Sequence, residues 1–591
     1  MLTNALKKFV YHLLVAYAFL FFFPILAQNN EEWETKFEKS SYLSTDNYEN
    51  TIKYFEKIAE SSEFAELKTI GISPKGRKLK CLIVSKDKLF DPKKAKESNN
   101  ATILINNGIH AGEVEGKDAC MLMLREMLIT GEQNSLLENV TLLIIPVFNV
   151  DGHERSSKYG RINQNGPSEM GWRTTAQNLN LNRDFTKADS PEMKAFLKLF
   201  KEWLPDIFID THTTNGADYQ YTITYGISKH QDIPPITREI VIEELIPVIN
   251  SDVASAGYLA SPFVSFVDGD YVNGIKDWFP TPRFSNGYAA LQNRIGLLIE
   301  THMLKPYKDR VFSTKVLLES VINFCNSNSI KIKNASIKAD EYILEHYTID
   351  TNTFPLKYDL TKESISYDFK GYVKQLINSR VAGRKIIKYT NEETVNTVPY
   401  FNEFKISDSV NIPTAYLLPK EWSELIPIIK LHGIRVDTIR KSTFYKVEKY
   451  EFKNVSFADL PYEGRFIPMF DYDVIADSMF VTSGDYYIPT SQRSLGMIIH
   501  LLEPKANDSF VRWGFMNIIF ERKEYFEEYS MEPIAAEMYN KSANLREEFN
   551  SLVKSDTAFA KDAHARLNYF YENSPYYDQK HNVYPIMRVV E

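Results

Sequence analysis

Cysteine is nearly absent. Cys81, Cys120 and Cys325 are the only three in 591 residues, a set too sparse and too odd in number for a disulfide framework. The core itself must therefore carry the stability; at most one bridge is possible, and buried small hydrophobes are the simpler reading of all three. A basic excess is missing too. With 69 Lys and Arg against 77 Asp and Glu the net charge is -8, which argues against nucleic acid, a partner that requires a concentrated positive face. No internal repeat or low-complexity tract breaks the chain. The hydrophobic share of 44% and charged share of 25% are those of a soluble globular protein, and the length asks for two domains or more.

What is present begins at the N-terminus. Lys7 and Lys8 precede an apolar run from Phe9 to Ala27, interrupted by His12 and closed by Pro24, and after Gln28 the chain turns polar and acidic. That order predicts a secretory signal peptide over residues 1–28, with an uncleaved membrane anchor as the rival because the run approaches the length of a bilayer span. Either way the remainder is placed outside the cytoplasm, secreted or periplasmic, and it meets a membrane only if the segment stays attached.

From about Tyr42 helices alternate with apolar runs. Tyr48–Ser61, Val114–Leu128 and Pro191–Trp203 have helical patterning, and Leu79–Ser85 reads as a strand. Four further runs, Thr102–Ile105, Thr141–Phe148, Ile207–Asp210 and Gly296–Glu300, are strand-length and apolar on both faces, as strands covered by helices on either side must be. The order predicts an α/β fold with a mixed, mostly parallel sheet flanked by helices. After a helical stretch from Asp309 to Leu344, many short β-prone pieces follow, and helices return near Met531. This predicts a catalytic domain over residues 42–330 and a second, mostly β domain with a helical tail over 345–591.

Ligands of open α/β sheets bind outside the carboxyl ends of the strands, so the residues at those four exits matter most. The first leads into His110-Ala-Gly-Glu113, the second into Asn149-Val-Asp-Gly152, the third ends Asp210-Thr-His212 and the fourth Glu300-Thr-His302. A zinc ion that performs hydrolysis takes three protein ligands and keeps one position open for water, and two His with one Glu is an established set. His110 and Glu113 can reach one metal from a single loop, and His212 can close the set from a neighbouring strand. Glu300 can take a proton from the attacking water and return it to the leaving amine. A bare His-x-x-Glu is expected about once by chance in a chain this long; the weight comes from all four residues occupying the same kind of position.

With Trp172-Arg173, Asn182-Arg183 and Thr211-His212 added, in this order and spacing, residues 42–330 resemble the carboxypeptidase A-like zinc metallocarboxypeptidases. The resemblance implies one Zn²⁺ per chain on His110, Glu113 and His212, and hydrolysis of the C-terminal bond of a peptide with a free carboxylate. It also implies that Arg173 polarises the scissile carbonyl and that Asn182 and Arg183 grip the terminal carboxylate, a task that suits a planar guanidinium. Departures accompany it. Asn180 stands where the family usually has an Asp behind the first zinc histidine, Asp184 replaces the Asn that often follows the arginine, and Val150 interrupts the usual Asn-Pro-Asp-Gly. The family's mobile substrate-closing tyrosine has Tyr288 as its first candidate here and Tyr271 as its second. Two other readings stay open: an amidohydrolase acting on cell-wall peptides or N-acyl amino acids, and a peptide-binding relative without catalysis.

Overall fold

The structure, a computed structural model, describes residues 32–214, 216–231, 233–348 and 353–590. The expected export segment, residues 1–28, lies outside the described residues, and among the described residues no helix is long and apolar enough to cross a membrane.

The centre of the first compact unit is an eight-stranded mixed sheet with the order β1-β2-β4-β3-β5-β10-β6-β7. Its strands are β1 (Ala65–Ile72), β2 (Lys78–Val84), β3 (Ala101–Asn107), β4 (Val140–Ile145), β5 (Ile207–Thr214), β6 (Ile223–Ile227), β7 (Ala260–Pro262) and β10 (Ile295–His302). The four central strands β4, β3, β5 and β10 run parallel. Every residue of β3 and β4 is buried, which is why these runs carry no polar alternation. Helices α1 (Tyr48–Ser61), α2 (Glu115–Leu128), α3 (Pro191–Trp203), α4 (Ser285–Leu291), α5 (Tyr307–Ser327) and α6 (Ser329–His346) belong to the same unit. The α/β class expected from the sequence is the class observed.

Strand lengths differ from expectation in a way that matters for the site. β4 stops at Ile145 because Pro146, which follows, has no N–H to donate. β5 and β10 instead run on through His212 and Glu300 to Thr214 and His302. Both residues are thus held within strands, in paired register, and not on the loops after them.

The first unit spans residues up to Ile412 and takes in 424–435 and 490–508; the second comprises 413–423, 436–489 and 509–591. The first unit also holds a four-stranded sheet of β8 (Val264–Phe266), β9 (Ile275–Asp277), β12 (Ile365–Ser379) and β13 (Arg384–Phe401), and a pair, β11 (Thr353–Leu360) with β14 (Phe404–Asn411). The compact division therefore differs from the sequence-based boundary at 345. β13 pairs with β9 through Tyr400↔Ile275 and Phe401↔Lys276, which ties strands from beyond 345 to the first unit. The second unit has a six-stranded sheet over 415–489 and 587–589 and helices over Glu528–Lys541, Ala543–Ser555, Thr557–Lys561 and Ala563–Glu572. Its strands are not the short pieces expected; Thr443–Phe457 and Pro468–Val481 pair along almost their whole length.

Close packing of α2 on the strand ends fixes the geometry below. At Gly116 an added Cβ would stand 2.2 Å from Thr211 Oγ1 and 2.3 Å from Asn107 Oδ1. Gly116→Ala is therefore expected to destabilise the fold by about 2–3 kcal/mol in denaturant unfolding and to weaken zinc binding with it. A variant as stable as the parent would contradict this packing argument.

Candidate functional site

Three buried side chains converge at the carboxyl ends of the central strands. His110 Nδ1 lies 3.1 Å from Glu113 Oε2, His212 Nδ1 lies 3.1 Å from the same oxygen, and the two Nδ1 atoms are 3.2 Å apart. Each of the three residues is at most 4% exposed. Three atoms that ordinarily present lone pairs thus face one another, an arrangement that a shared cation resolves. Tetrahedral zinc with ligand bonds near 2.0–2.1 Å requires ligand atoms about 3.3 Å apart, so the residues fit that group in both type and spacing.

The outward nitrogens are oriented. His212 Nε2 meets Asp210 Oδ2 at 2.7 Å, and His110 Nε2 meets Asn180 Oδ1 at 3.1 Å. Asn180 does what the missing aspartate would do in geometry, but without the charge. Asp210 accepts on its other oxygen from Asn106 Nδ2 at 3.0 Å. Glu113 is held from behind: Thr213 N–H donates to Oε2 at 3.0 Å, while Arg161 reaches Oε1 at 2.8 Å and Arg173 at 3.4 Å.

The titrations follow from these contacts. Burial pushes the His110 imidazole down to about 4, against the opposing pull of Glu113. At His212 burial acts in the same direction, but the Asp210 carboxylate overrides it and holds the ring well above its ordinary value. Burial would raise Glu113, yet His110 and Arg161 hold it well below the usual carboxylate range. Glu300 goes the other way. Burial, with Glu113 and Asp210 adding to it against His212 and Arg173, pushes it up to about 8, and its Oε2 is buried with no hydrogen-bond partner among the described residues.

The triad opens into a cleft of about 670 Å³ that Arg161, Arg173, Asn182, Arg183 and Glu300 also line. Glu300 is placed by register, paired across the parallel β5/β10 ladder with His212. Arg173 is half-exposed, and its backbone is fixed by the Asn149-Val-Asp-Gly152 turn: Asn149 Nδ2 donates to Arg173 O at 3.1 Å, and a Cβ on Gly152 would meet Trp172 O at 2.6 Å. Asp151 anchors that turn to Ser73 Oγ and Arg77. Asn180 Oδ1 accepts from Asn182 N–H at 3.1 Å, and the Arg183 guanidinium lies 4.4 Å over the Phe284 ring.

Residues 51–239 match the family model described as zinc carboxypeptidase. Over this stretch the chain is similar to the zinc carboxypeptidases. The region that matches holds the triad and both arginines. Carboxypeptidase 2 of Trichophyton rubrum is 20% identical over 483 residues, 79% of this chain and 83% of that protein. Carboxypeptidase 2 of Trichophyton tonsurans is 20% identical over 467 residues, 76% of this chain and 79% of that protein. Among solved structures, a metallo-carboxypeptidase from Pseudomonas aeruginosa is 17% identical with a TM-score of 0.36, covering 48% of this chain and 69% of that one.

Within the first unit some expected residues take other places. Tyr288 is 1% exposed, packs on Phe185 and Phe200, and shares its hydroxyl with Gln292 Nε2 at 3.2 Å and His432 Nδ1 at 3.3 Å. It is a core residue and not a cleft residue, because its helix α4 turns that side inward against 424–435. Tyr271 is equally buried and donates to Tyr372 O at 2.8 Å. Phe263, Trp278 and Phe284 are the aromatic rings that line the cleft. Asp184 is structural: it accepts from Lys187 Nζ, Asp189 N–H, and Ser190 N–H and Oγ just ahead of α3.

Two residues of the site carried no assignment from sequence. Asp210 had a legible signal, since residues i and i+2 of a strand share a face. Arg161 had none, lying in a loop without periodicity. Replacing Asp210 by Asn is expected to weaken zinc binding about 10–100-fold, and Asn180→Asp to strengthen it, both read by competition with a metal chelator. Unchanged affinity in Asp210→Asn would show that its contact with His212 does not tune the metal.

Proposed function

We propose that the protein is an exported carboxypeptidase that removes the C-terminal residue from peptides, with His110, Glu113 and His212 holding one zinc ion. The observation that carries this reading is the convergence of the triad, the unpartnered Glu300 oxygen and the Arg183 guanidinium on one cleft. Export rests on the pattern of residues 1–28 and gives an extracellular or periplasmic enzyme. The catalytic machinery falls within residues 42–330, which the first compact unit contains.

Bound zinc supplies Lewis acidity toward the scissile carbonyl and the attacking water. Everything else is done by side chains. Glu300, half-buried and with a raised proton affinity, takes the proton of the attacking water and hands it to the leaving amine. Arg173, half-exposed beside Glu113, donates to the oxygen on which negative charge develops. Asn182 and Arg183 hold the terminal carboxylate, with the Phe284 ring fixing the plane of the guanidinium fork. Phe263, Trp278, Phe284 and Leu298 supply the apolar lining of the cleft, which favours a large apolar or aromatic C-terminal side chain.

Release of free amino acids from a mixed peptide library tests this directly. The parent should shorten peptides stepwise from the C-terminus, aromatic and aliphatic residues first, and chelation should stop it. Glu300→Gln should bind one zinc per chain and lose about 10²–10⁴-fold in kcat. Arg183→Ala should lose the distinction between free and amidated C-termini. A protein that holds zinc yet releases nothing from free C-termini would overturn the reading in favour of other amide substrates, cell-wall peptides and N-acyl amino acids first.

A further inference from the structure

From Phe369 to Asn391 the chain carries six cations, Lys370, Lys374, Arg380, Arg384, Lys385 and Lys388, and no acidic residue. This is a local reversal of sign in a protein of net charge -8. The segment is the greater part of the ribbon formed by β12 and β13.

The base of the ribbon is built into the first unit. Phe369 is buried among Tyr219, Tyr221 and Tyr271. Gln220 Nε2 donates to Gly371 O and Thr394 O, and Tyr271 donates to Tyr372 O. Tyr219 stacks edge-on to His302, 4.2 Å between ring centroids, only two residues past Glu300. The ribbon is therefore fixed to the end of the strand that carries Glu300.

Its distal part has no such support. From Lys374↔Tyr389 to Ser379↔Arg384 the two strands pair with each other, and from Gln375 to Lys388 every side chain but Ser379 and Ile386 is exposed. At about 3.4 Å per residue, the turn stands about 25–30 Å beyond the base. Directly opposed residues of an antiparallel pair share a face, so one face presents Leu376 with Ile387 and the other Ile377 with Ile386. Leu376 is 66% and Ile387 47% exposed, and Val381 at the turn is fully exposed. A ribbon in water ordinarily turns at most one apolar face to a core and leaves the other polar; this one carries an apolar cross-strand pair on each face, set among cations, and among the described residues no core covers its distal part.

We propose that this ribbon docks the protein on a lipid bilayer rich in anionic phospholipid. Val381 and the two apolar cross-strand pairs enter the boundary between headgroups and acyl chains, while Arg380, Arg384, Lys385 and Lys388 extend to the phosphates. A protein partner would match the charge, but a flat protein surface covers only one face of a ribbon, whereas the bilayer interface surrounds both. Docked in this way, the strand bearing Glu300 is held within a ribbon's length of the membrane, suited to peptides released at that surface.

The test uses the chain from Asn29 onward, so that the apolar N-terminal run cannot itself partition into lipid. It is sedimented with vesicles of phosphatidylcholine, alone or with a third of phosphatidylglycerol. The parent should bind the anionic vesicles and not the neutral ones, at least about tenfold more weakly on going from about 0.05 to about 0.5 M salt. Arg380→Glu/Arg384→Glu/Lys385→Glu should lose at least about a hundredfold, and Leu376→Ser/Val381→Asp at least about tenfold. Both variants should keep the parent's melting temperature and its rate on a soluble peptide, which separates a failure of docking from a failure of folding or of the proposed activity. Absence of binding to anionic vesicles, or equal binding by parent and both variants, overturns the proposal.

Discussion

Glu300 stands opposite His212 because β10 and β5 run parallel in register, and Asn107 stands opposite Thr211 because β3 and β5 do the same. Two adjacent rows of residues at the strand ends thereby set the places of His212, Glu300 and the start of the loop that brings His110 and Glu113. A slip of one residue in either ladder would turn His212 or Glu300 to the opposite face of the sheet. Buried polar links hold the register: Thr211 Oγ1 donates to Asn107 Oδ1 at 2.9 Å, and Asn106 Nδ2 to Asp210 Oδ1 at 3.0 Å. Asp210 thus does two things at once, since the carboxylate that ties β5 to β3 also orients the His212 imidazole.

Two glutamates in one cleft are driven apart by their surroundings. Glu113 faces two imidazoles and two guanidiniums and is held well below the usual carboxylate range; Glu300 is half-buried with one enclosed oxygen unpartnered and is pushed up to about 8. Opposed shifts on like groups are how a site separates a permanent anion from a group that exchanges protons. Arg161 contributes to this division without lying in any recognisable motif, with Nε on Gln164 and Nη1 on Glu113.

The parts of this molecule that sequence disclosed are those with period or motif. α1 and α3 occur where the helical patterning places them, and α2 begins one residue later. His110, Glu113, His212 and Glu300 converge as their positions at the strand exits suggest. What escaped has no local signature. Tyr288 was a reasonable lid residue by type and place, but its burial is decided by His432, 144 residues further on. Arg161 depends on the path of a loop. The place of residues 353–412 in the first unit depends on contacts distant in sequence, such as the β9–β13 pairing and the packing of Phe369 among Tyr219, Tyr221 and Tyr271, and the exposed faces of the β12–β13 ribbon become informative only once it is known that no core covers them.

The discontinuous make-up of the first unit has a consequence for how the protein comes into being. His432 Nε2 donates to Thr186 O, Arg493 reaches Gln292 Oε1, and Asp508 binds Arg283, so groups on two separate late segments, 424–435 and 490–508, satisfy polar atoms in the body that bears the site. A chain emerging vectorially from its N-terminus cannot finish that body until residue 508 has emerged, by which point much of the second unit has emerged too. A partial chain thereby lacks a finished site: the nascent protein carries His110, Glu113, His212 and Glu300 for some two hundred residues of growth before the body around them can close.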